Sequence, residues 1–176
     1  MKKLALLFLL VFLFFSCSCA ASDSGAKVKK PNLAGTWYSA DAGELAGQID
    51  RLLAGARPAG ERGDPLVLIL PHAGYIYSGK TAAAGYRVIG AVGKPAVPAK
   101  LIVILAPSHH SAFRGCSLLD ADYYETPLGK VRLGREAADD LVRDGLFRKN
   151  PGAFEEEHAV EIHLPFLQRI FGRRLE

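Results

Sequence analysis

Two short, continuously apolar runs constrain the fold of this chain more than any other feature. The runs Leu66–Leu70 and Leu101–Leu105 contain only leucine, isoleucine and valine. A run of this length without polar alternation is typical of a strand that helices cover on both faces. Between the runs, Ser78 is predicted to cap a helix that extends to about Val92. This order predicts a right-handed βαβ unit, and therefore an α/β protein with a mostly parallel central sheet flanked by helices.

The rest of the chain carries further signals for regular elements. Asp41 is predicted to cap a first helix, because Glu44 follows three positions later as a capping-box partner. The remaining predicted elements are strands at 116–121 and 124–133, with a turn at 127–129, and helices at 135–144 and 156–171.

The N-terminus predicts export. Two lysines precede the unbroken apolar run Leu4–Phe15, and small residues follow it. This order is typical of a secretory signal peptide, here residues 1–21, and a run this short is not a permanent membrane anchor. The end of the signal is open: Cys17 follows a lipobox-like sequence and would carry a lipid tether to the membrane, or a peptidase cuts after Ala20 or Ala21. We expect a protein of the cell envelope or periplasm, either a lipoprotein or a soluble one.

The composition indicates one globular domain and argues against a nucleic-acid-binding protein and a disulfide-rich protein. Residues 22–31 are polar and are interpreted as a tether, which leaves 32–176 as one domain. The whole chain has 176 residues and is 49% hydrophobic, enough apolar material for a core. Its net charge is +4, and no basic stripe with interleaved aromatic residues occurs, so nucleic-acid binding is not expected. Cys116 is the only cysteine beyond the N-terminal segment, which excludes a disulfide framework.

Histidines follow both predicted strands. His72 comes directly after the first, and His109 and His110 come after the second. Ligands bind outside the carboxyl ends of parallel strands, and neighbouring strands lie about 5 Å apart, so His72 and His109 can converge on one ion. Neutral imidazole suits iron, copper and zinc alike. We predict His72 and His109 as metal ligands and His110 as a candidate for proton transfer.

A third histidine cluster lies near the C-terminus. Three glutamates, the last of them Glu157, precede His158, and these or Glu161 could supply a carboxylate to the site. His158 is predicted as a second candidate for proton transfer. His158 and His163 do not share a helical face, so their spacing does not support a two-histidine helical motif. We expect His163, in an apolar stretch, to be structural.

Five motifs occur in an order that resembles a known family. They are Asn32–Tyr38, Pro71–Tyr75, Pro107–His110, Tyr124–Gly129 and Glu157–Phe166. Together they resemble the Memo family, whose prokaryotic members are called AmmeMemoRadiSam system protein B. The resemblance runs from about Asn32 to the C-terminus, so 32–176 is interpreted as the N-terminal portion of a Memo-like domain.

The resemblance implies a fold similar to that of the class III non-haem iron extradiol dioxygenases. In the family, the histidines matching His72 and His109 bind a metal, with iron or copper the metals discussed. Trp37 would line the same pocket, and we place Tyr75 and Glu157 there as well. Memo domains continue well beyond the length of this chain, which therefore looks C-terminally truncated. We expect an incomplete sheet, and a third ligand, a cysteine in the best-known members, that this chain does not match.

The leading functional hypothesis is a Memo-like metal-binding protein that acts as an iron- or copper-dependent, dioxygenase-like oxidoreductase. One alternative is a non-catalytic module whose pocket, rimmed by Trp37, Tyr75 and His158, binds a peptide or a small molecule. A second alternative keeps the same ligands but uses zinc and an activated water for hydrolysis.

Overall fold

A computed structural model describes residues 25–58, 65–97, 101–143 and 145–175. The predicted signal peptide, with Cys17 and both cleavage positions, lies outside these ranges. Within them, every helix is too short or too polar to cross a membrane.

Helices form the larger part of the regular structure. They are α1 (Ala42–Gly55), α2 (Tyr75–Ile89), α3 (Arg135–Arg143) and α4 (Leu164–Phe171), with short 3-10 helices at Pro151–Phe154, Glu161–His163 and Gly172–Leu175. The predicted cap at Asp41 is confirmed, because its side chain accepts a hydrogen bond of 2.8 Å from the backbone N–H of Glu44. The reciprocal half of the capping box differs from the prediction, because Glu44 accepts from the Ser39 hydroxyl and the Asp41 N–H donates to that same hydroxyl. The predicted helix at 135–144 is confirmed as α3.

In the described part of the chain, the strands are short and form three small sheets. They are β1 (Val28–Lys29), β2 (Gly90–Ala91), β3 (Lys94–Pro95), β4 (Cys116–Leu118), β5 (Tyr123–Thr126), β6 (Gly129–Arg132) and β7 (Phe147–Lys149). β5 lies between β1, which is parallel to it, and β6, which is antiparallel. β4 and β7 are parallel, and β2 and β3 are antiparallel. The predicted α/β class is confirmed, and parallel pairing is present.

The segment interpreted as a polar tether takes part in this sheet. Val28 pairs with Tyr123 through β1 and β5. The backbone N–H of Lys27 donates to Asp122, and its ammonium group pairs with Asp120. The described end of the 22–31 segment is therefore attached to the domain.

Three helices enclose the main core. Leu45, Ile49 and Leu53, spaced four residues apart on α1, are fully buried against α2 and α4. Tyr86 of α2 stacks on Phe166 of α4, with ring centroids 4.8 Å apart. α2 begins at Tyr75, three residues before the predicted cap, and it ends at Ile89, with Gly90 as its C-cap. Gly90 has a φ of 153°, and a Cβ there would come within 2.7 Å of the Lys94 carbonyl oxygen.

The two apolar runs differ most from their prediction. Neither Leu66–Leu70 nor Leu101–Leu105 belongs to any sheet among the described residues. Their exposure nevertheless tends to alternate along the chain, as in an extended strand. The inward side chains, Leu68, Leu70, Ile102 and Ile104, pack against the helical core. The prediction of paired, doubly covered strands was wrong for the described residues, because their helices cover only one side of the runs.

The C-terminal element is also more broken than predicted. Instead of one helix over 156–171, a 3-10 turn at Glu161–His163 leads into α4. Pro165 occupies the first turn of α4, where its missing N–H costs no helical hydrogen bond. The break leaves His158 and Glu157 in a loop beside the carboxyl ends of the apolar runs.

Candidate metal centre

Three histidines from separate parts of the chain meet at one edge of the domain. His72 precedes α2, His109 follows the second apolar run, and His158 precedes the Glu161–His163 turn. The His109 and His158 rings stack with centroids 4.4 Å apart, and those of His72 and His109 are 5.3 Å apart. One ring nitrogen from each of the three lies within 4.8 Å of the others. The predicted convergence of His72 and His109 is thus present, with His158 as a third donor.

This donor set fits a transition-metal ion. Two nitrogens bound to one ion at about 2.1 Å can be no more than about 4.2 Å apart. Small rotations of the three side chains would bring nitrogens that are now within 4.8 Å to bonding distance. Three neutral imidazoles suit zinc, copper and iron rather than magnesium or calcium, which prefer oxygen ligands.

A buried carboxylate orients two of the three histidines. Glu157 accepts hydrogen bonds from the backbone N–H of His109 at 2.6 Å and from its Nδ1 at 3.0 Å. It also accepts from the backbone N–H groups of His158 and Ala159, at 2.8 and 2.9 Å. Burial would raise the pKa of Glu157, but these hydrogen bonds outweigh it and lower the pKa to about 2. Glu157 is therefore an ionised acceptor, which places the proton of a neutral His109 on Nδ1 and leaves Nε2 free for an ion.

The surroundings of His158 favour its neutral form. Burial lowers the pKa of His158, and the neighbouring histidines lower it further, while Glu157 acts in the opposite direction. The side chain of His158 is only 15% exposed. Because a metal binds the deprotonated imidazole nitrogen, this environment favours ligation.

Trp37 forms a wall of the site, as the resemblance implies. Its ring lies 4.6 Å from that of His158, and its main-chain oxygen accepts a hydrogen bond from Tyr75 N–H. Beside it lies a shallow cavity of about 500 Å³, which is also lined by His110 and Glu156. The Nδ1 atom of His110 is 3.6 Å from a Glu156 carboxylate oxygen, and both side chains are exposed. A ligand could approach the three histidines from this side.

Two other aromatic or histidine residues lie outside the cluster. Tyr75, predicted to line the pocket, lies in the core instead, because its hydroxyl donates to the carbonyl oxygen of Ile162 at 2.8 Å and its ring packs on Phe166. His163 bonds through Nδ1 to the hydroxyl of Tyr86 at 2.8 Å. Burial lowers the pKa of His163 to about 4, so it is a neutral residue of the interior at physiological pH.

Glu161, predicted as a possible carboxylate of the metal site, is instead a second buried carboxylate of the interior. It is fully buried and accepts hydrogen bonds from the backbone N–H groups of Asn32 and Leu33, at 2.6 and 2.8 Å. The hydroxyl groups of Tyr38 and Tyr124 also donate to it. Glu161 therefore fixes the loop that carries Trp37. Glu161 and His163 are the only polar residues of the stretch 159–167, and a glutamate in such surroundings was the available signal, because a buried carboxylate requires several donors.

Comparison with known proteins agrees with this arrangement. The model of the Memo-like protein family matches residues 29–174. A MEMO1 family protein of Aquifex aeolicus is 38% identical over 148 residues, which cover 84% of this chain and 52% of that protein. Protein MEMO1 of Xenopus tropicalis is 35% identical over 142 residues, covering 80% of this chain and 46% of its own length.

A MEMO1 family protein of Thermotoga neapolitana is 34% identical over 155 residues, covering 82% of this chain and 54% of its own. The chain thus spans about half the length of the curated relatives that it matches. The family match includes all three clustered histidines and both buried glutamates. The chain belongs to the Memo family.

Proposed function

We propose that this chain binds a metal ion through His72, His109 and His158, and that the ion is Fe(II) or copper in the service of an oxidoreductase reaction. The observation that carries the proposal is the convergence of three imidazole nitrogens, one of them set by the ionised Glu157. Three histidine rings brought together from separate segments are more readily explained by a shared ligand than by separate structural roles.

The residues around the three histidines have separable roles in this proposal. A redox-active metal, when bound, would supply electron transfer to or from a substrate at the cluster. Glu157 holds the His109 ring and its tautomer, and Trp37 restricts access from one side. His110 is exposed at the adjacent cavity and can carry a proton between the site and water.

Metal analysis tests the proposal directly. The purified chain should contain near-stoichiometric iron or copper by mass spectrometry, and the double variant His72→Ala/His109→Ala should lose it. His110→Ala is the matched control, because its ring lies beside the cluster without belonging to it, and it should retain the metal. Absence of metal from the native chain would contradict the proposal.

Zinc in place of iron or copper would contradict the redox function and favour the hydrolase, in which a metal-activated water attacks the substrate. A titration with zinc alone therefore accompanies the metal analysis. An oxygen-consumption assay with the iron-loaded chain then separates a redox site from a hydrolytic one.

A binding module is the second candidate, favoured by the shallow cavity beside Trp37. In that case a peptide or a small molecule binds without turnover, and binding persists after chelation of the metal. Trp37 is the only tryptophan of the chain, so quenching of its fluorescence reports on both metal and ligand.

Export and lipidation remain proposals from the sequence. We propose that the chain reaches the cell envelope or periplasm through the signal at residues 1–21. Metabolic labelling with a fatty acid would reveal acylation of Cys17, and Cys17→Ala would abolish it. An unlabelled, shortened protein in the periplasmic fraction would favour cleavage after Ala20 or Ala21 instead.

A further inference from the structure

Asn32 joins the N-terminal segment of the domain to the loop that carries Glu157 and His158. Its side-chain NH₂ group donates to the carbonyl oxygen of Glu155 at 2.8 Å and to that of Glu157 at 3.1 Å. The two carbonyl groups lie 123 and 125 residues beyond Asn32 along the chain. One side chain therefore holds this distant loop at two points, on either side of Glu156.

A cation fixes the orientation of the Asn32 amide. The ammonium group of Lys29 donates to the Asn32 side-chain oxygen at 2.9 Å. A rotated amide would turn its NH₂ group toward the ammonium and its oxygen toward two carbonyl oxygens, and neither contact is a hydrogen bond. Lys29 is itself held, because its ammonium also donates to the Lys30 carbonyl oxygen at 2.9 Å and lies 5.7 Å from the centre of the Tyr124 ring. Both donor hydrogens of Asn32 are therefore directed at the loop.

The backbone of Asn32 is anchored as well, on the buried Glu161. The Asn32 N–H donates to Oε2 of Glu161 at 2.6 Å, and the adjacent N–H of Leu33 donates to Oε1 at 2.8 Å. Glu161 follows His158 by three residues, whereas the two carbonyl groups that the Asn32 side chain contacts precede His158. Asn32 therefore bonds to the chain both before and after this histidine.

The main chain of Glu157 transmits the effect of Asn32 to the metal centre. The Glu157 carboxylate accepts from Nδ1 of His109 at 3.0 Å and from the backbone N–H of His158 at 2.8 Å. Both histidines belong to the cluster of three. A shift of the Glu157 carbonyl group would move its carboxylate and change the distance between the two rings. Because a metal requires its ligands at defined positions, residues that fix this distance affect its binding.

We propose that Asn32 is a positioning residue of the metal centre, which holds the Glu155–Glu157 loop so that the rings of His109 and His158 keep the spacing that an ion requires. The inference rests on the proposed metal binding. Asn32 acts through its two donor hydrogens and binds no ion itself, since its side-chain oxygen accepts from Lys29. Its side chain is exposed, so a substitution there leaves no cavity in the core.

Two substitutions test the proposal. Asn32→Asp keeps the shape of the side chain and an acceptor for Lys29, but it has no hydrogen to donate to the two carbonyl oxygens. Asn32→Leu has a similar size and no charge, and it loses the acceptor as well. We expect the affinity of the full chain for Cu(II), measured by competition with a chelator, to fall about fivefold in each variant. The loss is smaller than for a residue that contacts a ligand directly, because Asn32 acts through the main chain of Glu157.

Two further readouts separate positioning from a general loss of stability. The hyperfine splitting in the electron paramagnetic resonance spectrum of the Cu(II)-loaded chain should change in both variants, because it depends on the arrangement of the ligands. In the metal-free chain, the Nδ1–H proton of His109, observed by NMR, should exchange with water about tenfold faster in Asn32→Asp, because Glu157 is held less firmly. Lys30→Gln is the control, because Lys30 pairs with Glu125 at 2.7 Å, and it should match the unmodified chain in all three measurements.

The proposal is overturned if Asn32→Asp retains the affinity, the spectrum and the exchange rate of the unmodified chain, or if Lys30→Gln loses as much affinity as Asn32→Asp. A loss confined to Asn32→Leu would assign the effect to the contact with Lys29 and would also overturn it. An unmodified chain that binds no Cu(II) would contradict the proposed function instead. Faster exchange in Asn32→Asp would then still support the positioning of His109, because that readout requires no metal.

Discussion

Leu70 and Ile69 are neighbours in one apolar run, but their surroundings are opposite. Leu70 packs so tightly on α2 that a Cβ on Gly85 would lie 2.2 Å from its Cδ2 atom. Ile69, on the other side of the run, is 96% exposed. The inner side is covered by the helices of the described chain and the outer side is not. Apolar composition therefore identifies a segment that needs covering on both sides, while only neighbouring elements decide which side is covered.

The largest expected effect distinguishes the helical core from what we call the outer face, which consists of the exposed side chains of the two apolar runs, Leu66, Val67, Ile69, Leu101, Val103 and Leu105. Phe166→Ala should lower the free energy of unfolding by about 3–5 kcal/mol, because it leaves a cavity between α2 and α4. The Phe166 side chain is 1% exposed and stacks on Tyr86. Ile69→Ala should change stability by less than about 0.5 kcal/mol. Denaturant unfolding of both variants measures the difference, and equal losses would show that the outer face is covered in solution.

A pH titration tests the burial of His163 in the helical core. Burial lowers the pKa of His163 to about 4 in the folded chain, whereas an unfolded histidine has a pKa of about 6.5. Folding therefore disfavours the protonated form of His163. The free energy of unfolding has its full value, as far as His163 is concerned, above about pH 6.5, and it decreases as the pH falls toward 4. At pH 4 the free energy of unfolding should be lower by about 3 kcal/mol than at pH 7 because of His163.

Thermal melts of the metal-free chain between pH 4 and 7 measure this loss. His163→Gln removes the titrating group and should flatten the dependence in that window. His110→Gln is the matched control, because it also replaces a histidine, but at an exposed position. An unchanged slope in His163→Gln would assign the pH dependence to other groups.

The metal centre lies where the helical core meets the ends of the apolar runs, and Glu157 should raise its affinity for the metal. Glu157→Gln replaces an acceptor of four hydrogen bonds with an amide whose NH₂ group faces N–H donors. The affinity for copper or iron should fall about 10–100-fold, as expected when the residue that orients a ligand is lost. Competition with a chelator measures the change. The exposed Glu156→Gln is the matched control, and an equal loss there would point to general electrostatics instead.

The smallest effect on stability should accompany a large effect on dye binding. Val103→Thr reduces the apolar area of the outer face and should leave the unfolding free energy within about 0.5 kcal/mol. Fluorescence of a hydrophobic dye should fall relative to the unmodified chain, since such dyes report on exposed apolar surface. A loss of stability without a loss of dye fluorescence would mean that Val103 faces inward.

The sequence predicted individual elements better than their association. The cap at Asp41 and helix α3 follow from local hydrogen bonding and periodicity, so they are present as predicted. The apolar runs were identified, but their pairing was not, because pairing depends on a neighbouring strand. Ser78 was a plausible helix cap from residue type alone, yet its hydroxyl donates to the Ala73 carbonyl oxygen from within α2.

In the candidate metal centre, too, some features could be predicted from the sequence and others could not. That His72 and His109 would lie together was predictable, because both follow apolar runs separated by one helix. His158 was expected at the pocket as a proton-transfer candidate. Its ring nitrogen as a third possible metal donor was not predictable, since it depends on where a loop 49 residues beyond His109 folds back. The four donors of Glu161 come from two distant segments, Asn32–Tyr38 and β5, so its buried position depends on tertiary contacts that the sequence does not specify.

The sequence by itself determined the family, the α/β class and the pair of histidines that follow the apolar runs. These properties depend on residue type, spacing and order along the chain, which need no long-range contact to be recognised. The tertiary structure alone decided that His158 joins the cluster, that Glu157 sets the His109 tautomer and that one side of each run stays open. Each of these depends on distances between segments far apart in the chain, and packing of the helical core fixes those distances.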